Sequence, residues 1–219
     1  MGGIVVYFDI ETIPVEADDA DWIDYCETAD VEDPEAERLR TRLKPVFGRI
    51  LCLGYAIAGD RPIVLTGAPS EPGSVEAERR ILIEFDRVVS EAWDRRRGGR
   101  VLFCGHNLRR FDLRFVMTRA LFHRVDGIVR RLGRLDPKPW DLPVLDTMEL
   151  FPAHRTALDQ CCRLLGIERQ SGIMGSAVYS AFIAGRFGEI VEHCRLDIVQ
   201  VRDVYRRLSR LCGSFPDQL

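Results

Sequence analysis

Residues Ile4 to Pro14 read IVVYFDIETIP, and the fold turns on this run. Its Ile, Val, Tyr and Phe residues predict a buried strand. Asp9 and Glu11 stand two positions apart inside it. Side chains alternate along a strand, so the two carboxylates share a face with Val5 and Tyr7, while Ile4, Val6, Phe8 and Ile10 fill the other. Two like charges side by side at the end of a buried strand repel each other and lose hydration. A divalent cation is the simplest countercharge, and hard oxygen ligands favour Mg²⁺ or Mn²⁺. The alternative is a strand that simply runs out into solvent at Asp9.

The remaining elements follow from periodicity. Val15 to Lys44 is acidic and poor in large apolar residues, an excursion over one edge of the fold with Trp22, Ile23 and Tyr25 as anchors and a helix-like Glu35–Leu43. Arg49–Ala58 and Pro62–Thr66 predict a hairpin turning at Gly59-Asp60. Ser74 is a suitable N-cap for a helix to Arg97, with Glu76 and Glu78 in its first turn and apolar residues from Ile81 to Trp93 at helical spacing. Val101–Gly105 and Pro143–Thr147 predict strands, and Phe111–Phe122, Arg155–Gly166, Gly175–Ala184 and Arg186–Cys212 predict helices. Arg124 to Trp140 reads as a basic loop carrying Arg124, Arg130, Arg131, Arg134 and Lys138, which either contacts a single strand or is merely solvated. A hairpin followed by helix–strand alternation indicates one α/β sheet of mixed strand direction.

At 219 residues the chain suits a single domain over residues 1–219. Hydrophobic content of 46% and charged content of 30% are those of an ordinary globular protein. No apolar stretch suits a membrane span or a secretory signal, so the expected location is cytoplasmic, without a membrane. Seven cysteines without a CxxC pair, several inside apolar segments, predict reduced buried thiols rather than a disulfide framework or zinc site. The net charge of −3 gives no global basic character, although the cations are Arg except for Lys44 and Lys138. A nucleic-acid ligand would have to be held by local patches and by metal.

Four further carboxylates draw notice. The VLFCG strand runs directly into GHNLRRFD, and loops at the C-terminal ends of strands are where α/β folds place ligands. Asp112 falls there in the first turn of a helix, where it either joins a site or complements the helix dipole. On the last helix Ile190, Cys194, Val201, Tyr205 and Leu208 form an apolar stripe containing Asp197, with Ile198 on its flank. A core-facing carboxylate is costly unless paired or bound to a cation. His193, four residues earlier, projects from the same face; a simple surface His–Asp pair is the alternative. Asp146, Glu149, His154 and His106 are weaker candidates; Asp146 could equally cap a turn and His106 form a local hydrogen bond.

The ordered set FDIETIP, GRILCLGYA, GHNLRRFDLRFV, VLDTMEL, TALDQCCRLLGI, SGIMGSAVYSAFIAG and EIVEHCRLDIVQVRDVY resembles the DEDD 3′–5′ exonucleases. It is most similar to the group related to the proofreading domain of family B DNA polymerases. The resemblance implies a ribonuclease-H-like fold with a central mixed five-stranded sheet flanked by helices. It implies that Asp9, Glu11, Asp112 and Asp197 hold two Mg²⁺ or Mn²⁺ ions. It also implies that Ile10, Thr12, Asn107 and Phe111 meet the substrate, a single-stranded DNA or RNA 3′ end, with release of nucleoside 5′-monophosphates. His193 departs from the pattern, because it keeps the spacing of the tyrosine branch while placing an imidazole there. It would orient or deprotonate the attacking water. A catalytically weak or inactive nucleic-acid-binding domain of the same fold, or an endonuclease, is the alternative. No polymerase motifs accompany the set, so any polymerase or repair partner is expected in trans.

Overall fold

The run that opens the sequence becomes β1 (Ile4–Ile13), the middle strand of a five-stranded sheet ordered β3-β2-β1-β4-β5. In this computed structural model residues 4–68, 70–95, 101–132, 144–151, 156–168 and 172–212 are described. β2 (Arg49–Ile57) pairs antiparallel with β1, and β3 (Ile63–Leu65) antiparallel with β2. On the other side β4 (Val101–Gly105) and β5 (Val144–Asp146) run parallel. The acidic excursion carries α1 (Ala20–Thr28) and α2 (Pro34–Arg40), and Trp22 anchors it by packing against Phe47 at 5.4 Å between ring centroids.

The two faces of β1 organise the layers. Val6, Phe8 and Ile10 face α3 (Val75–Arg95), α4 (Asp112–Phe122) and α5 (Asp126–Leu132) in the larger apolar cluster. Tyr7 and Ile13 face the opposite layer of α6 (Leu158–Leu164), α7 (Val178–Ile183) and α8 (Phe187–Cys212). Between Glu11 and Thr12 the pairing with β2 slips by one residue. This bulge lets Leu51 and Cys52, adjacent in sequence, both pack on the α7–α8 side. α8 comes very close to the sheet at Gly54, where a Cβ would meet the Cys194 Sγ at 2.9 Å and Ile198 Cγ1 at 3.0 Å. Gly54 is paired across the ladder with Asp9.

The segment read as a basic loop is in part a helix. In α5, Ile128 and Leu132 are buried with Val125 just before them, a spacing of three to four residues that the Gly and Arg around it obscured. Arg131 Nη1 donates to Asp86 Oδ1 at 2.9 Å and ties α5 to α3. Arg134, Lys138 and His154 lie outside the described residues. Among the described residues no helix is long and apolar enough to cross a membrane.

A buried ion network clamps the α3 layer to the sheet. Ser74 caps α3 as expected, its Oγ accepting from Ala77 N at 3.1 Å. Glu78, however, is a core residue rather than a dipole-complementing surface acid, with 0% exposure. Its carboxylate accepts from Ile50 N at 2.8 Å, from Arg119 Nε and Nη2 at 2.9 and 2.7 Å, and lies 2.7 Å from His123 Nε2. Burial pushes this carboxyl up, but the His123 and Arg119 hydrogen bonds prevail and hold it below the usual glutamate range. A depressed carboxyl contributes stability above its unfolded pKa and loses it as the pH falls through the folded value. Glu78→Ala should therefore cost about 3–5 kcal/mol, because it strands a buried guanidinium. In denaturant titrations Glu78→Gln should also lack the part of the acid-induced loss that wild type shows below about pH 4.5. Equal stability of Glu78→Ala and wild type would refute the clamp.

Candidate active site

Three elements meet at the C-terminal end of β1. The parallel pairing of β1 with β4 ends at Tyr7–Cys104, while β1 continues. Past that point Ile10 N donates to Asp112 Oδ1 at 3.1 Å, so the first residue of α4 stands in for a missing strand partner. Asp112 is 3% exposed. From the other layer α8 brings up His193 and Asp197, fixed by Ile190, Cys194 and Ile198 packed beneath them. Asp197 is half-buried at the border of the apolar stripe.

All four carboxylates expected to converge do so. Asp9, Glu11, Asp112, His193 and Asp197 line one open cavity of about 390 Å³. Ile10, Asn107 and Phe111 line it as well. Thr12 does not; its hydroxyl donates to the Arg42 carbonyl at 2.6 Å and secures the excursion instead. Glu11, His193 and Asp197 form the tightest group, with one potential ligand atom from each lying within 4.8 Å of the others.

The electrostatics follow from this crowding. Burial pushes the Asp9 carboxyl well above the usual range, and the charges of Asp112, Glu11 and Asp197 add to it. Burial also raises Glu11, reinforced by Cys52, Asp197 and Asp112. Asp112 is pushed up to about 7, again by burial first, with the Asp146 and Asp197 charges opposing the hydrogen bonds from its own backbone and Ile10. Such a group holds its full negative charge only with compensating cations, and two or three carboxylates plus an imidazole are a ligand set for a divalent metal. Under the site, Cys194 hydrogen-bonds with Cys52, which together with burial raises its thiol well above the usual range and leaves it neutral.

The weaker sequence candidates have local duties. Asp146 accepts from Asn107 N at 2.8 Å, Arg109 N at 3.0 Å and Met148 N at 3.0 Å, so it shapes the loop that presents Asn107. Asn107 itself sits at φ 60°, a left-handed conformation that Asn tolerates better than most residues. His106 Nε2 donates to the Thr156 carbonyl at 2.9 Å, and its Nδ1 lies 3.0 Å from the Thr147 hydroxyl. Burial lowers its pKa and keeps it neutral. Glu149 pairs with Arg109 at 3.1 Å. The far wall, including Leu158, Asp159, Ile173 and Met174, was not singled out from the sequence. These residues lie in the TALDQCCRLLGI and SGIMGSAVYSAFIAG stretches, whose place in the ordered set was the available signal, and Gly172 lies against His193 of α8.

A family model described as "Predicted 3'-5' exonuclease related to the exonuclease domain of PolB" matches residues 83–218, more than half of the chain. That span holds Asp112, His193 and Asp197; the β1 carboxylates lie ahead of it. A search of the curated proteins finds no match. Among solved structures, the family B DNA polymerase of Pyrobaculum calidifontis is similar with a TM-score of 0.56 and 18% identity over 93% of this chain and 24% of its own. Exonuclease I in a product-bound state is similar with a TM-score of 0.50 and 10% identity over 96% of this chain and 44% of its own. A complex of exonuclease I described as ExoI/SSB-Ct gives 0.50 and 10% over 96% and 42%. The chain thus spans about a quarter of the polymerase and less than half of exonuclease I. These likenesses establish the ribonuclease-H-like exonuclease fold with its mixed five-stranded sheet. The matched segment and the fold together place the chain in the family of 3′–5′ exonucleases related to the exonuclease domain of PolB.

Proposed function

We propose that the chain is a divalent-metal-dependent 3′–5′ exonuclease that hydrolyses phosphodiester bonds at the 3′ end of single-stranded or recessed DNA or RNA, releasing nucleoside 5′-monophosphates. The observation that carries this reading is the meeting of Asp9 and Glu11, from outside the family-matched segment, with Asp112 and Asp197 in one open cavity. Nothing in the packing of the core calls for four mutually repelling acids at one place.

Asp9, Glu11, Asp112 and Asp197 would hold two Mg²⁺ or Mn²⁺ ions. Bound there, the ions supply Lewis-acid charge for the attacking water, the phosphate and the leaving 3′ oxygen. The chain supplies the rest. At about 390 Å³ the cavity admits a terminal nucleotide rather than a duplex. The Phe111 ring, braced by Phe115 at 5.5 Å between centroids, offers a face for the last base. Asn107, held by Asp146, places a side-chain amide beside it. The apolar Ile10 side chain closes the core side.

Two outcomes test the reading. Linear single strands labelled at the 5′ end should shorten stepwise with Mg²⁺ or Mn²⁺, while circular strands stay intact. Asp9→Ala and Asp197→Ala should each slow the reaction by at least about 100-fold, the scale of losing one charge partner in the transition state. Unchanged rates in both variants, or cleavage of circles, would overturn the assignment. Secondly, protons and cations compete for the same carboxylates. A raised carboxyl pKa leaves the metal-free fold most stable at low pH and costs stability as the pH climbs, for Asp112 through about 7. Metal-free protein should melt at a lower temperature near pH 8 than near pH 6, Mn²⁺ should restore it, and Mn²⁺ affinity should rise over the same interval. Asp112→Asn should flatten both trends.

A further inference from the structure

We propose that His193 is itself a metal ligand, so that Glu11, His193 and Asp197 form a mixed nitrogen–oxygen site that prefers transition-metal ions such as Mn²⁺ to Mg²⁺. This rests on the metal-dependent reading above and departs from it in the role of one residue. A water-activating base needs a ring nitrogen directed at the substrate side. Here both ring nitrogens face acids: Nε2 lies 3.4 Å from Glu11 Oε1 and Nδ1 3.8 Å from Asp197 Oδ1. Both separations exceed a sound N–H···O hydrogen bond of about 2.7–3.2 Å. One ion would take only one of the two nitrogens, and one ligand atom from each of Glu11, His193 and Asp197 lies within 4.8 Å of the others, a spread that a small closing movement brings about a single ion. At metal–ligand distances of about 2.0–2.2 Å, neighbouring ligands stand about 3.0 Å apart at right angles, about 3.4 Å in a tetrahedron, and about 4.2 Å when opposed.

Glu11 provides a second observation. It is 8% exposed and lines the cavity, yet its carboxylate accepts no hydrogen bond among the described residues. A buried acid of this kind asks for a cation. The imidazole is also held in place. α8 fixes its base next to Cys194, and the backbone of Gly172 packs on the ring so closely that a Cβ there would come within 3.3 Å of Nδ1. Imidazole nitrogen suits Fe²⁺, Ni²⁺, Cu²⁺ or Zn²⁺, and Mn²⁺ stands at the weak end of that transition-metal series, whereas Mg²⁺ keeps to oxygen. The departure of this position from tyrosine thus changes the ligand field, not merely the basicity, at the centre of the site.

Pulsed electron paramagnetic resonance of Mn²⁺ bound to the intact chain tests this without reference to activity. Wild type should show hyperfine coupling to a directly coordinated nitrogen, and the coupling should change when the protein carries isotopically labelled histidine. His193→Gln and His193→Tyr should both still bind Mn²⁺ but lose the coupling, which separates His193 from the other three histidines. By calorimetry these variants should lose roughly tenfold or more in Mn²⁺ affinity, since outer-shell partners alone are worth about 10–100-fold, while Mg²⁺ affinity changes little. If a variant fails to fold, the labelled wild type still reports whether nitrogen is bound. Mn²⁺ held by oxygen alone would overturn the proposal and leave the exonuclease reading standing. No Mn²⁺ bound by wild type at all would overturn both.

Discussion

One hydrogen bond makes the site possible. β1 outruns its parallel partner β4, and the buried Ile10 N–H beyond that pairing is taken up by Asp112 rather than by another strand. A buried backbone donor left unmet costs about 1–3 kcal/mol, so α4 is held at the strand end by the same principle that builds the sheet. One carboxylate oxygen serves the backbone, and the residue still borders the cavity. Asp112 is therefore both a fold residue and a site residue. The like-charge crowding that follows, with Asp9 and Glu11 on the strand and Asp197 on α8, is a consequence of this docking.

Much of this was legible in the sequence because alternation and helical spacing carry it. The two faces of β1 separate as the alternation of Ile4 to Ile10 requires, with Phe8 in one core layer and Tyr7 in the other. The apolar stripe of α8 follows from spacing alone, although spacing put Asp197 inside the stripe and the fold leaves it half-buried at the border. Three things were not legible. Glu78 occupies a first-turn position where surface acids are common, and only the distant Arg119 and His123 reveal it as core. α5 is short and interrupted by glycine and arginine, so its buried Ile128 and Leu132 look like isolated apolar residues. Thr12 sits in a motif shared with the exonuclease family, yet the slipped register beside it and its bond to Arg42 turn it away from the cavity. Long-range partners and register slips leave no local trace.

The family match and the structure divide the site between them. The matched residues 83–218 include α4 and α8 but omit the strand that supplies two of the four acids. Only the fold, with β1 at the centre of the sheet, brings those acids to the others. The departure at His193 is visible only as a residue type in the sequence; the facing of its two nitrogens toward Glu11 and Asp197 is a property of the folded chain.

The close approach at Gly54 has a consequence for ion size. No ligand comes from this residue, yet it sets how near Cys194 and Ile198, and hence the helix between them and Asp197, can lie to the strand that bears Asp9. Small ions need oxygens at about 2.0–2.1 Å, whereas calcium accepts about 2.3–2.6 Å. A single methyl group at 54 would prop the helix outward and widen the gap between the Asp9 strand and the helix that bears Asp197. Under the proposed metal-dependent reading, the sheet–helix spacing set at Gly54 would decide which ion radius the carboxylates can serve, although the residue is itself no ligand.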